Sequence, residues 1–130
     1  MTTNGHWRWT ETDPQGRTIH CHPGAWNHIV QHHEEMSQYE AAVRATLRSP
    51  DRIYDDPYST SQRRTPTMPE ATVVCYLALG YTRGREAGNW LVVIVLWEHD
   101  LPGAETMGYV LTAYTTNRLL RRWVRREGAS

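Results

Sequence analysis

Hydrophobic and polar positions change their period along this chain, and the changes mark out its elements. Ile29, Val30, Met36, Tyr39, Val43 and Leu47 follow Trp26 at intervals of mostly three, four or seven, the spacing of an apolar helical face. They predict two consecutive helices, about residues 25–33 and 36–48, with a break near His33-Glu34. Ser37 is placed to cap the second helix, with Glu40 three residues on. Ser49-Pro50 ends it, because the residue before proline is pushed out of helical geometry. Ahead of the helices, residues 6–10 (HWRWT) alternate, and residues 17–21 (RTIHC) pair back across Asp13-Pro14-Gln15-Gly16, a type I turn signal. This predicts a short hairpin.

Beyond Pro50 the period shifts. Residues 51–54 (DRIY) read as a short extended piece, and residues 55–69, with three of the seven prolines, read as a loop. Residues 71–79 and 89–97 are β-branched, aromatic and unbroken, as in central strands. A hairpin over 80–88 joins them, its tip carrying Arg83 and Arg85. Residues 108–115 form a third strand, with Tyr109, Leu111 and Ala113 alternating against Val110, Thr112 and Tyr114, and residues 98–107 are the loop before it. Asn117 is placed to cap a last helix with Leu119, Leu120, Trp123 and Val124 on one side and arginines on the other. Helices followed by runs of strand predict an α+β fold: N-terminal helices packed on a three- to four-stranded antiparallel sheet, with a C-terminal Arg-rich helix. One domain accommodates 130 residues, divided into a hairpin extension (1–24), a core (25–117) and a basic terminal helix (118–130).

Composition narrows the function. All 14 basic residues are arginine and 14 acids balance them, so attraction to nucleic acid has to come from a local patch. Cys21 and Cys75 are far apart in sequence and lack a CxxC pattern, which argues against a disulfide framework or zinc ribbon. The longest apolar run, residues 91–97, is far short of the roughly 18 residues of a membrane span. The first residues, MTTNGHWRW, carry no secretory pattern, so a cytoplasmic protein without membrane contact is expected.

The densest chemistry is WNHIVQHHEEM, residues 26–36. His28 and His32 are four apart and about 40° round a helix, so they share a face, whereas His28 and His33 do so only if the helix breaks between them. Histidine suits proton transfer because its ordinary pKa lies near neutrality. These residues also fit half-exposed surface histidines. A zinc pair at His28 and His32 is a third reading; it needs a further donor such as His22 and lacks the Glu that metalloprotease helices place directly after the first His. Thr112 and Tyr114 share a strand face, where two hydroxyls suit a phosphate oxygen or an ordinary polar surface equally. Arg44 and Arg48 lie one turn apart near the histidines.

Trp26, His28, Ile29, His33, Glu35 and Met36, then Thr46, Pro50, Asp51, Ile53 and Tyr54, then Thr112 to Tyr114, in that order and spacing, resemble the phage-associated nuclease-like family. That family is grouped with barnase, EndoU, colicin tRNases and RelE toxins. The resemblance spans about residues 26–117, and Glu34 stands where the family commonly has proline. It implies helices against a four-stranded antiparallel sheet and RNA cleavage without a metal or other cofactor. It selects His28 and His33 as the acid–base pair, where geometry alone selects His28 and His32.

The resulting expectation is a toxin- or effector-type endoribonuclease that cuts RNA by 2′-OH attack to leave a 2′,3′-cyclic phosphate. His28, His33 and His32 with Thr112, Tyr114 and Arg48 would form the site, and Arg63, Arg64, Arg83, Arg121 and Arg125 would contact RNA. Tyr58 beside Arg63-Arg64 favours single-stranded RNA, such as a tRNA loop, over duplex. The Arg-rich end equally suits an acidic antitoxin or immunity protein. The alternative is a binding-only module of the same fold that holds RNA or a protein.

Overall fold

The computed structural model describes residues 6–80, 90–99 and 106–126. These residues form an α+β domain built on a seven-stranded mixed sheet, in the order β1-β2-β6-β5-β4-β3-β7. Its strands are β1 (Trp9–Thr12), β2 (Thr18–Cys21), β3 (Arg52–Asp55), β4 (Thr72–Leu79), β5 (Trp90–Trp97), β6 (Met107–Thr116) and β7 (Val124–Arg125). Its helices are α1 (Pro23–His32), α2 (Glu40–Arg48) and α3 (Pro57–Arg63), with a 3-10 turn at Glu34–Gln38 between α1 and α2.

The antiparallel run β3-β4-β5-β6 is the part that strand patterning anticipates. The sheet is nonetheless wider than the expected three or four strands, and its widening comes from the chain ends. The N-terminal hairpin is no separate extension: β2 pairs in parallel with β6, Thr18 to Met107 through His20 to Tyr109. At the opposite edge β7 pairs with β3, Tyr54 to Arg125 and Asp55 to Val124. No C-terminal helix forms over residues 117–126. Trp123 is drawn into a small apolar cluster with Cys75, Leu77 and Val92, Leu119 packs against it, and the chain then extends into β7. The spacing of Leu119, Leu120, Trp123 and Val124 fits a helix face, but a turn closed by Trp123 N–H to Leu120 C=O (3.1 Å) buries Trp123, packs Leu119 and leaves Leu120 and Val124 exposed.

Two other expectations are corrected. The stretch 55–69 contains α3, capped by the Asp56 side chain on Ser59 N–H (3.1 Å) with Pro57 in its first turn. Ser37 lies inside the 3-10 turn and caps nothing; α2 begins after Tyr39 without a side-chain cap. The hairpin tip with Arg83 and Arg85, and most of the loop before β6, lie outside the described residues.

The main core lies on the sheet face covered by α1 and α2. Trp26 and Ile29 from α1, Val43 and Leu47 from α2, and Val74, Tyr76, Val93, Val95 and Trp97 from the central strands fill it. The β1–β2 turn is fastened into this core. Gly16 takes φ +81°, a region that suits glycine, and the buried Asp13 carboxylate accepts from Gln15 and Arg17 N–H and the Arg17 guanidinium. Tyr76 O–H donates to the same carboxylate at 3.2 Å, Trp97 Nε1–H donates to Tyr76 at 3.2 Å, and Arg17 lies 3.9 Å above the Trp97 ring. On the outer side, Glu11 accepts from Arg44 and Arg48 of α2, and Glu40 from Arg8 and Trp9.

A β-bulge between Ile94 and Val95 decides which face the residues of β6 present. Val110 opposes Val95 and Thr112 opposes Ile94, so Leu111 is the extra residue and the alternation changes phase there. Gly108, Val110 and Ala113 therefore face the core, while Tyr109, Thr112 and Tyr114 share the other face. The simple alternation expected for this strand grouped Tyr109 with Ala113.

A Cβ added at Gly108 would stand 2.9 Å from Val95 Cγ1 and 3.1 Å from the Trp97 ring. Gly108→Ala should therefore cost about 1–3 kcal/mol through overpacking, read as a lower urea midpoint at unchanged slope.

Candidate active site

The face of the sheet away from the main core carries a cleft of about 540 Å³. Its floor is Ile94, Thr112, Tyr114 and Val73; α1 and the residue that follows it supply one wall, and α3 with the C-terminal segment supplies the other.

The first wall follows from how β6 is flanked. Since β2 pairs only with its first three residues, the rest of β6 runs past α1, which packs against it. His22 caps α1 by accepting Gly24 N–H on Nδ1 (2.9 Å), and Pro23 occupies the first turn without losing a hydrogen bond. Trp26 and Ile29 bury the inner side, which leaves His28 and His32 on the outer side with ring centroids 4.1 Å apart. His33 ends the helix at φ −138°, ψ 78°, still donating its N–H to Ile29 C=O (2.7 Å). Its ring comes to 5.6 Å from that of Tyr114. The break thus brings the third histidine to the same cleft as the first two, as an unbroken helix would not.

The opposite wall is organised by Asp56, whose side chain is only 4% exposed. Its carboxylate accepts from Ser59 N–H and O–H, from Arg122 Nε and Nη2 (both 3.2 Å), and from Trp123 Nε1 (3.0 Å). Burial works against the charge, but these hydrogen bonds outweigh it and hold the carboxyl below the usual carboxylate range. The Arg122 guanidinium, half exposed, also lies 4.9 Å over the Tyr58 ring. Gln62 and Arg63 of α3 complete this side. On the floor, burial pushes the Tyr114 phenol up to about 12, so at neutral pH it is a protonated hydroxyl able to donate.

His28, His32, His33, Thr112, Tyr114 and Arg63 thus meet in one cleft. Arg48 does not: it lies on the outer side of α2 and pairs with Glu11 at 2.9 Å. Arg64 donates to Ala71 C=O (3.0 Å), Arg121 and Arg125 are exposed but outside the cleft lining, and Arg83 lies outside the described residues. Asp56, Ser59 and Gln62 had no place in the sequence expectation, and Arg122 and Trp123 figured there only in the C-terminal basic patch that suits RNA or an acidic partner. Asp56-Pro57, a capping residue before proline, was the available signal for the first of them.

Among the described residues no three His, Cys, Asp or Glu converge as a metal-ligand group; His22 stands at the opposite end of α1 from the His28–His32 pair. Nor is any described helix long and apolar enough to cross a membrane. No family model, curated protein or solved structure matches this chain.

Asp56→Asn should destabilise the protein by about 2–3 kcal/mol near neutrality, because it removes a charge that several donors satisfy. A carboxyl whose folded pKa is depressed stabilises fully above its unfolded value, about 4, and loses that contribution as pH falls through the folded pKa. Melts from pH 7 to pH 2 should therefore bring wild type and variant together at the acid end; a constant gap would contradict the assignment.

Proposed function

We propose that the cleft cleaves RNA by attack of a ribose 2′-OH on the adjacent phosphorus, giving a 2′,3′-cyclic phosphate and a free 5′-OH. The observation that carries this reading is the convergence of three histidines on one wall with two hydroxyls on the floor and two guanidinium groups opposite. Cleavage of this kind needs a base for the 2′-OH proton, an acid for the departing 5′ oxygen, and donors for the charge gathering on phosphate. His28 and His33 are assigned the proton transfers, in keeping with the resemblance; His32, in ring contact with His28, orients it. Thr112 and the protonated Tyr114 hydroxyl donate to a phosphate oxygen, and Arg63 neutralises its charge. Arg122 already serves Asp56 with Nε and Nη2, so it contributes only its remaining N–H groups.

The substrate we assign is an unpaired stretch of RNA, such as a tRNA loop. An aromatic with a guanidinium laid over it, Tyr58 with Arg122, borders the cleft and suits an exposed base better than a duplex groove. No metal ion takes part in this scheme.

Purified protein incubated with total RNA in EDTA should produce fragments with 5′-OH ends and cyclic 3′ ends. His28→Ala and His33→Ala should each slow this roughly a hundred- to ten-thousandfold. Intact RNA with every protein, or wild-type rates in both variants, rejects the proposal. RNA binding without cleavage, insensitive to both substitutions, would instead identify a binding-only module.

A further inference from the structure

Three aromatic rings lie on the cleft's face of the sheet and belong to neither apolar cluster. Trp7 stacks on His20 with ring centroids 4.2 Å apart and planes 10° from parallel, and Tyr109 tilts against both at 5.8 and 6.2 Å. Their placement follows from register. Ile19 and Cys21 of β2 enter the core, so His20 points the other way, and its parallel partner on β6 is Tyr109. The phase change at Leu111 puts Tyr109 on the same side as Thr112 and Tyr114.

Each supporting ring is held by its edge. His20 Nδ1 bonds Thr10 Oγ1 at 2.9 Å and its Nε2 meets Met107 Sδ at 3.2 Å, so neither nitrogen is available for chemistry. Burial lowers its pKa, which keeps the ring neutral. Tyr109 O–H donates to Glu98 at 2.8 Å. Trp7 is only partly buried: one face lies flat on His20, and the His22 ring stands edge-on to it at 6.3 Å. An indole held by these rings, outside both apolar clusters and left partly exposed, suits one more flat ring.

We propose that Trp7, backed by His20 and flanked by Tyr109, is a stacking subsite for one unpaired base of the strand whose phosphate enters the cleft. This rests on reading the cleft as an RNA site. Tyr109 and Thr112 are three residues apart on β6 with the bulged Leu111 between them, so less than about 10 Å of strand separates them, a distance that neighbouring nucleotides of one strand bridge. Stacking accepts any base, so the subsite fixes the strand's position without selecting a sequence.

The test uses the full chain and a fluorescein-labelled single-stranded hexanucleotide with 2′-fluoro sugars, which lacks the attacking hydroxyl. Anisotropy should show Trp7→Ala binding it roughly five- to a hundredfold more weakly than wild type, with Trp7→Phe recovering most of the loss. In hexamers made abasic at one position at a time, a single position should weaken wild-type binding by a similar factor and abolish the difference between wild type and Trp7→Ala. That abasic series on wild type stands even if Trp7→Ala fails to fold. Equal binding by wild type and Trp7→Ala, or losses spread evenly over all abasic positions, overturns the subsite. Absence of any hexamer binding overturns the subsite and the RNA reading together. Trp7-dependent binding by a protein that does not cut all-ribose RNA supports the subsite and removes only the catalytic assignment.

Discussion

A carboxylate withdrawn from water must be matched by donors, and the way Asp56 is matched determines the shape of the cleft. Its partners come from Ser59 in the first turn of α3 and from a segment more than sixty positions later, Arg122 and Trp123. Leaving any of these bonds unmade while Asp56 stays buried would cost far more than the net gain of making it. The two segments are therefore locked to each other, and a wall stands opposite the histidines. Apolar contact through Trp123 would hold the segment down as well, but a hydrogen bond from its indole N–H also fixes which way the ring turns.

The same division of labour recurs at the other end of the sheet. Asp13, Tyr76 and Trp97 form a buried polar chain beneath the β1–β2 turn, and Glu11 and Glu40 bind β1 to α2. The apolar core sets the sheet's thickness and leaves orientation loose. These few buried charges set orientation, so the N-terminal strands sit in one register at an edge where they have only a short stretch of β6 to pair with.

What was legible in the sequence was whatever is encoded by neighbours. The unbroken runs of β4 and β5, the helical spacing from Trp26 to Leu47 and the break at His33 are local patterns, and each corresponds to an element or boundary of the structure. The three histidines with Thr112 and Tyr114 could be selected for the same reason, since residue type and local period carry that information. Pairings between distant segments could not. Nothing in the four residues of β2 announces a parallel partner in β6, and nothing in Val124–Arg125 announces β3. The missing C-terminal helix is the sharpest instance: its apolar spacing is genuine, but a bonding partner at Asp56 and a free strand edge outweigh helical preference, and neither is visible from residues 117–126. The bulge at Leu111 is equally silent, because an extra residue in one strand is defined only against its partner.

The pairing of β2 with β6 joins positions nearly ninety residues apart, and β7 returns to a strand some seventy residues behind it. Loop closure makes such contacts late events, after the locally connected β4–β5–β6 meander has formed. On a ribosome the order is stricter still. The histidine-bearing helix emerges before Tyr114, Arg122 and Trp123 are made, so the cleft's walls cannot face each other until some ninety further residues have followed the histidines. A nascent fragment carries the histidines without the pocket, and whatever chemistry the cleft performs begins only once the Arg122–Trp123 segment has joined them.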